Sequence, residues 1–385
     1  MLFNIIWQVL IVLALALILG EFFTQLKLPA VAGELAAGLI LGPSVLNLVN
    51  TTQEIQSLSS IALFFIIFFI GFQMKTETLR RHVTESVLVT LTSFVVPLIV
   101  VTGIIFVLFP FTPLEKFIIS LAIAVPSISI ISVMVMQFDL LQEKTGHLIL
   151  SSVIVTDIVA FVVLATVSET LAGTLRLLLF LAIFLALFAL VDRFLNSRIS
   201  TLQRFLKRAS TVFKREYISF TILIILGLFI SFIFQAIGLS FIIGAFFAGL
   251  ILHEELIGKE AYQSFTSVLS IMNNGFFIPV FFGFAGVEAE LTRSDYSLVG
   301  YLLIAIAISL TISITLTYYF VKLVIKEPEE ADPRNVSVIL GGRGAVGIVI
   351  VTVALGSGLI GITSYSLVIF GTTITSIVIP LLLKR

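Results

Sequence analysis

The sequence predicts an all-α integral membrane protein of about 13 transmembrane helices, in two inverted-topology repeats of six with discontinuous crossing helices. Of its 385 residues, 59% are hydrophobic and 11% are charged, whereas roughly 25% of the residues in an ordinary soluble domain are charged. Apolar runs long enough to cross a bilayer recur along the whole chain, and two motifs of the first half return in the second half. These observations exclude an ordinary soluble protein.

The predicted spans are apolar runs bounded by charged or turn-forming residues. A helix needs about 20 residues to cross the ~30 Å hydrocarbon layer. Runs of this kind lie at 3–20, 30–48, 55–74, 86–109, 117–140, 148–168, 171–193, 217–239, 241–254, 262–287, 296–321, 336–358 and 363–383. With the N-terminus outside, most of the 22 Lys and Arg residues fall in cytoplasmic loops, which is the usual bias. This orientation predicts a cytoplasmic C-terminus.

Two motifs recur in the same order in both halves of the chain. GELAAGLILG at Gly33–Gly42 resembles GAFFAGLILH at Gly244–His253, and FFIIFFIGF at Phe64–Phe72 resembles FFIPVFFGF at Phe276–Phe284. Each motif lies seven spans before its copy, and because seven is odd the second copy must cross the membrane in the opposite direction. Inverted repeats are typical of secondary transporters, whose substrate site lies near the membrane midplane.

The repeats predict the domain organisation of the chain. Residues 1–169 form the first inverted repeat, and residues 217–385 form the second. Residues 170–216 between them form a linker helix and a basic cytoplasmic loop, which either fixes the topology or lies on anionic lipid.

Asp157 is the ionisable residue placed deepest in a predicted span, at the middle of 148–168. Such residues are costly in a bilayer and are therefore functional candidates. Because burial disfavours the ionised carboxylate, Asp157 can hold a proton or a monovalent cation, but not both together. If only the loaded forms cross the membrane, the result is antiport. The alternative is an Asp that a static partner neutralises to fix helix packing.

Hydroxyl groups on the same helix could complete an oxygen-lined cation site. Thr156 precedes Asp157, and Ser152 lies one helical turn before Thr156 on the same face. Alternatively, both hydroxyls satisfy the helix backbone or a neighbouring helix.

Two predicted spans carry residues that interrupt a helix at comparable depth. In the fifth span, Pro126 removes a backbone donor, and Ser127 and Ser129 add hydroxyls. In its repeat partner, the twelfth span, Gly342 and Gly344 weaken the helix. Corresponding interruptions in the two halves of a transporter indicate the substrate site.

Three further polar residues are candidates for supporting roles. Arg343 is always charged, so it should pair with a carboxylate or with helix-end carbonyls as a structural and electrostatic brace. Glu34 opens the second span and could line a funnel through which ions reach the site, although a surface carboxylate is an equal alternative. Asn274 is a second candidate for this funnel, with helix packing as its alternative.

The motifs PAVAGELAAGLILGPSVL, the Pro-broken serine segment, Asp157 and GGRGAVG together resemble the monovalent cation:proton antiporter superfamily. The likeness is to its sodium/proton exchanger and potassium-efflux branch. The resemblance implies a homodimer with an elevator mechanism, in which spans 3–6 and 10–13 form the moving core and the other spans form a dimer or scaffold domain. It also implies that Asp157 is the essential ion-binding residue.

The sequence departs from this family's pattern at three places. Thr156 stands where electrogenic members have Asp, and the eleventh span lacks their membrane-embedded Lys. Together these absences imply an electroneutral exchange of one cation for one proton. Ala345 stands where the family often has Glu after the Arg-Gly pair.

We therefore predict an antiporter of Na⁺ or K⁺ and H⁺ in a prokaryotic cell membrane, whose partners are these ions, the lipid bilayer and a second copy of the chain. The formal net charge is zero, and the chain has no cysteine, nucleophile motif or phosphate loop. Enzymatic activity, a cofactor and nucleic-acid binding are therefore not expected. A ligand-gated potassium efflux system and a non-transporting membrane sensor remain the alternative functions.

Overall fold

The structure is a computed structural model that describes residues 2–26, 28–50, 52–73, 83–126, 131, 134–135, 140, 144–167, 217–236, 241–252, 257–290, 296–324 and 332–382. Ser127, Ser129 and the predicted linker and basic loop at 170–216 lie outside the described residues.

The regular structure of the described residues is helical, without named strands. The helices are α1 Leu2–Gln25, α2 Ala30–Leu41, α3 Gln53–Gln73, α4 Val83–Thr90 continued by Val96–Leu108, α5 Pro113–Ala124, α6 Lys144–Val167, α7 Tyr217–Ala236, α8 Phe241–Ile251, α9 Lys259–Met272 continued by Ile278–Glu288, α10 Tyr296–Val324, α11 Pro333–Ile339, α12 Ala345–Gly356 and α13 Ile362–Leu382. Within the described part of the chain, six helical segments are long and apolar enough to cross a membrane, and four shorter apolar helices accompany them. The prediction of an all-α integral membrane protein is confirmed.

The second predicted span, 30–48, is too long at its C-terminal end. Helix α2 stops at Leu41 because Gly42 is extended, with φ −74° and ψ −178°, and Pro43 follows it. The chain then turns back, and the N–H groups of Leu48 and Val49 both donate to the carbonyl of Leu41. This cap satisfies a carbonyl that the end of the helix would otherwise leave free.

Helices α4 and α9 each contain a π-helical turn just before a proline. The turn Leu91–Val95 is followed by Pro97, and the turn Asn273–Phe277 is followed by Pro279. Proline has no N–H to donate to the carbonyl four residues earlier. The wider turns let both helices continue through the proline, and they leave carbonyls without their usual helical donor.

The chain divides into two compact units, the first made of Met1–Ser57, Glu77–Leu164 and Pro279–Arg385. In this unit, the glycine-rich motif of the first repeat packs against the phenylalanine-rich motif of the second. A Cβ added to Gly38 would collide with the carbonyl of Gly283, and one added to Gly286 would collide with the carbonyl of Leu35. The absence of side chains at these glycines lets the two helices approach each other closely.

The second unit is made of Leu58–Thr76 and Ala165–Ile278. In this unit, the glycine-rich motif of the second repeat packs against the phenylalanine-rich motif of the first. A Cβ at Gly249 would collide with the carbonyl of Phe68, and one at Gly71 would collide with the carbonyl of Phe246. Each unit therefore packs a glycine-rich motif against a phenylalanine-rich one, with the contributions of the two repeats exchanged; in the first unit the phenylalanine-rich motif takes part from Pro279 on.

Candidate functional site

The two interrupted helices meet at their interruptions. Helix α5 ends at Ala124, and Val125 after it is extended, with ψ 121°. Pro126 then forms an antiparallel β-bridge with Arg343, which lies between α11 and α12. The prediction of discontinuous crossing helices, based on Pro126 and on the glycines around Arg343, is confirmed.

Glycine also brings the first turn of α12 against the broken end of α5. The carbonyl of Ala122 lacks its usual helical donor because residue 126 is proline. Gly347 packs directly on that carbonyl, and an added Cβ would collide with its oxygen. Sequence reasoning did not single out Gly347. Its position in GGRGAVG, one helical turn after Arg343, could have indicated a role at the crossing.

The two predicted glycines have separate backbone roles at the crossing. Gly342 donates its N–H to the carbonyl of Ile339 at 2.9 Å and so closes the end of α11. Gly344 precedes α12 and accepts from the N–H of Ile348 at 3.2 Å.

Asp157 lies in α6 with no part of its side chain exposed. Neither carboxylate oxygen has a hydrogen-bond partner among the described residues, and Arg343 forms no ion pair with it. An ionised carboxylate without compensation is very costly in such surroundings. A proton or a bound cation removes that cost, so the geometry fits a group that alternates between these two occupants.

The hydroxyls beside Asp157 donate to backbone carbonyls of their own helix. Thr156 Oγ1 donates to the carbonyl of Ser152, and Ser152 Oγ donates to the carbonyl of Leu148, both at 2.8 Å. From α4, Thr90 Oγ1 also contacts the Ser152 carbonyl, at 3.1 Å. Both side chains at 152 and 156 are fully buried. Each hydroxyl retains lone pairs as a cation ligand, so this role stays a prediction.

Arg343 is 1% exposed, and its guanidinium donates to neutral oxygens. Nη1 donates to the carbonyl of Leu340 at 3.3 Å, and Nη2 donates to the carbonyl of Ser93 at 3.3 Å and to Ser313 Oγ at 3.4 Å. Leu340 is the C-cap of α11, so one helix-end carbonyl, a carbonyl within α4 and a hydroxyl take the place of a carboxylate. Sequence reasoning missed Ser93 and Ser313. Pro97, four residues after Ser93, could have indicated that the Ser93 carbonyl lacks its α-helical donor and can accept from another group.

The two funnel candidates have different environments. Glu34 in α2 is 5% exposed, and its Oε2 has no partner among the described residues. The alternative that Glu34 is a surface carboxylate is therefore wrong. Asn274 is exposed, and its Nδ2 donates to Ser270 Oγ at 3.1 Å. The neighbouring Asn273 is buried and donates to the carbonyl of Leu269 at 2.9 Å.

Comparison with known proteins identifies the family of the chain. The sequence model of the family described as "Sodium/hydrogen exchanger, transmembrane" matches residues 10–385. The chain belongs to this family. The resemblance to the monovalent cation:proton antiporter superfamily is thereby confirmed, and the chain is an integral, multi-pass membrane protein of a secondary transporter family.

Curated relatives agree with the family, and a solved structure agrees with the fold. The chain is 24% identical over 368 residues to a Na(+)/H(+) antiporter of Enterococcus hirae, covering 93% of this chain and 91% of that protein. It is 23% identical over 383 residues to K(+)/H(+) antiporter 1 of Saccharomyces cerevisiae, covering 92% of this chain and 43% of that protein. The fold matches the sodium proton antiporter MjNhaP1 of Methanocaldococcus jannaschii with a TM-score of 0.68, at 16% identity, covering 98% and 96% of the two chains.

Proposed function

We propose that this member of the sodium/hydrogen exchanger family is a secondary active antiporter that exchanges Na⁺ or K⁺ for H⁺ at Asp157. The observation that carries the proposal is the fully buried Asp157 carboxylate without a partner among the described residues. Relatives named Na(+)/H(+) and K(+)/H(+) antiporters support both cations as candidates. One carboxylate that binds either a proton or a cation is sufficient to couple the two fluxes.

The exchange is electroneutral in this proposal. Asp157 has no net charge when it holds a proton and none when it holds a monovalent cation. A domain that crosses the membrane only in these two loaded forms therefore carries the same charge in both directions. Thr156 supplies no second carboxylate at the neighbouring position, and α10 has no lysine at its middle. Both features support one-for-one exchange.

The other predicted residues have supporting roles in this proposal. Thr156 and Ser152, with Ser127 and Ser129 from the segment after Pro126, are candidate oxygen ligands of the cation. Pro126, Gly342 and Gly344 interrupt the crossing helices, Arg343 braces the crossing, and Glu34 and Asn274 line the funnel. The protein works as a homodimer by an elevator motion, with the core drawn from spans 3–6 and 10–13 and the repeats at 1–169 and 217–385.

The experiment is cation-driven proton flux in liposomes that contain the purified protein and an interior pH dye. We expect external Na⁺ or K⁺ to change the interior pH, and Asp157→Asn to abolish the change. Glu21→Gln is the matched control, because it neutralises an exposed carboxylate on α1. Exchange that survives in Asp157→Asn would contradict the proposal. Cation leak without proton flux would identify the potassium efflux alternative, and absence of both fluxes would identify the sensor.

A further inference from the structure

Arg343 is held in the interior by neutral oxygens, and one of these is a side-chain hydroxyl on a different helix. The Leu340 carbonyl belongs to the loop before Arg343, whereas Ser93 lies on α4 and Ser313 lies on α10. The described residues provide no carboxylate to pair with the guanidinium. Its orientation therefore depends on a small number of hydrogen bonds whose geometry other helices fix.

The Ser93 carbonyl can accept this contact because a proline follows it in the helix. Its usual helical donor would be the N–H of residue 97, which is Pro97. The carbonyl thus lacks its α-helical donor in the middle of α4, inside the π-helical turn Leu91–Val95. Ser313 Oγ donates to it at 3.0 Å, and Arg343 Nη2 donates to it at 3.3 Å.

Ser313 uses its hydroxyl in both directions. It gives its single proton to the Ser93 carbonyl, and its lone pair accepts from Arg343 Nη2 at 3.4 Å. The carbonyl, the hydroxyl and the guanidinium nitrogen therefore form a closed triangle of contacts. A residue without a hydroxyl at position 313 would remove one acceptor of Arg343 Nη2, and the loss of a hydrogen bond by a buried charged group is costly.

The neighbouring hydroxyls of α10 provide an internal comparison. Ser309, Ser313 and Thr317 follow one another at a spacing of four residues, so they share a helix face, and all three are buried. Ser309 Oγ has no partner among the described residues, and Thr317 Oγ1 donates to Thr92 Oγ1 at 3.4 Å. Of this row, Ser313 is the residue that contacts Arg343.

We propose that Ser313 is a positioning residue that orients Arg343 and, through the Arg343 backbone, the crossing with Pro126. This inference rests on the proposed antiport. Ser313 and Arg343 act on the shape of the crossing and not as cation ligands. The loss of the Ser313 hydroxyl should therefore lower the maximal rate of exchange more than it changes the KM for the cation.

The experiment compares Ser313→Ala, Ser313→Thr and the matched control Ser309→Ala in the liposome assay. We expect Ser313→Ala to lower the maximal rate about tenfold, with a KM within about twofold of the wild-type value. Ser313→Thr keeps the hydroxyl and should restore most of the rate, and Ser309→Ala should behave as the wild type. Equal losses in the two alanine variants, or a change confined to KM, would overturn the inference.

A second measurement shows whether Ser313 acts through Arg343. Thermal unfolding of the purified protein is followed for Ser313→Ala, Arg343→Lys and the double variant. Because lysine lacks the guanidinium fork, the drop in Tm caused by Ser313→Ala should shrink to less than half in the Arg343→Lys background. An undiminished drop would overturn the inference. If the wild type shows no cation-driven flux, the proposed function fails, while this coupling still tests the link between the two residues.

Discussion

Pro126 and Arg343 pair through their backbones at the point where the two interrupted helices cross. Arg343 connects this pair to three further helices. Its carbonyl accepts from Ser376 Oγ on α13 at 3.3 Å, and its side chain reaches Ser93 on α4 and Ser313 on α10. A single buried residue therefore connects the crossing to α4, α10 and α13, as expected of a structural brace. Its guanidinium also places a positive charge at the crossing.

Gly347 should be intolerant of any side chain. A Cβ at this position would collide with the carbonyl of Ala122, and overpacking of a tight contact typically costs about 1–3 kcal/mol. We expect Gly347→Ala to lower both the Tm and the rate of exchange. The control is Gly356→Ala at the end of the same helix, where an added Cβ meets no atom within 4 Å. The same result for both variants would contradict a tight contact at Gly347.

The interruptions of the two crossing helices could be predicted from the sequence because their causes are local. Proline at 126 lacks an N–H and glycine at 342 favours a helix end, whatever the rest of the chain does. The burial of Asp157 could likewise be predicted from hydropathy alone. Both depend on residues close together in the sequence.

The contacts across the crossing could not be predicted in the same way. The contacts of Arg343 with Ser93 and Ser313 join residues far apart in the chain, and they depend on how three helices pack. Ser313 lies in a run of apolar and hydroxyl residues with no local sign of its partner. The role of Gly347 could not be predicted either, because the need for a glycine there arises only from the packing of α12 on α5.

The exchanged packing of the two repeats predicts matched effects at equivalent glycines. Gly38 packs on Gly283 in the first unit, and Gly249 packs on Phe68 and Gly71 in the second. We expect Gly38→Ala and Gly249→Ala each to lower stability by about 1–3 kcal/mol, because the added methyl separates two helices in close contact. Thermal unfolding measures the effect. The control is Gly300→Ala, because an added Cβ at Gly300 on α10 meets no atom within 4 Å. It should be neutral or slightly stabilising. A loss of stability in this control as large as in the other two variants would contradict close packing as the cause.

Glu115 should make the stability of the protein depend on pH in the acidic range. It lies before the predicted span 117–140, and its Oε1 accepts from the N–H of Gly361 at 2.9 Å and from Ser364 Oγ at 3.3 Å. Its Oε2 accepts from the N–H and hydroxyl of Thr112, both at 3.2 Å. One carboxylate therefore caps the start of α5 and the start of α13.

Partial burial acts to raise the pKa of Glu115, but the hydrogen bonds from Gly361, Thr112 and Ser364 together outweigh it and hold the pKa below its ordinary value. The stabilisation is therefore present above the ordinary pKa of a glutamate and is lost as the pH falls through the lowered pKa of the folded protein. We expect Glu115→Gln to lower the Tm at pH 7 and to differ less from the wild type at pH 3. A Tm difference that is constant across this range would contradict the role of the charge.

The membrane potential should have little effect on the exchange. If Asp157 crosses the membrane only with a proton or with one monovalent cation, no net charge moves in a complete cycle, so a potential performs no work on it. The measurement is the initial rate of cation-driven pH change in liposomes at zero potential and at imposed potentials of either sign. A protonophore added to parallel samples verifies that the potential is established. A rate that rises at one sign and falls at the other would show that net charge is carried, and would contradict the one-for-one exchange inferred from Thr156 and the lysine-free middle of α10.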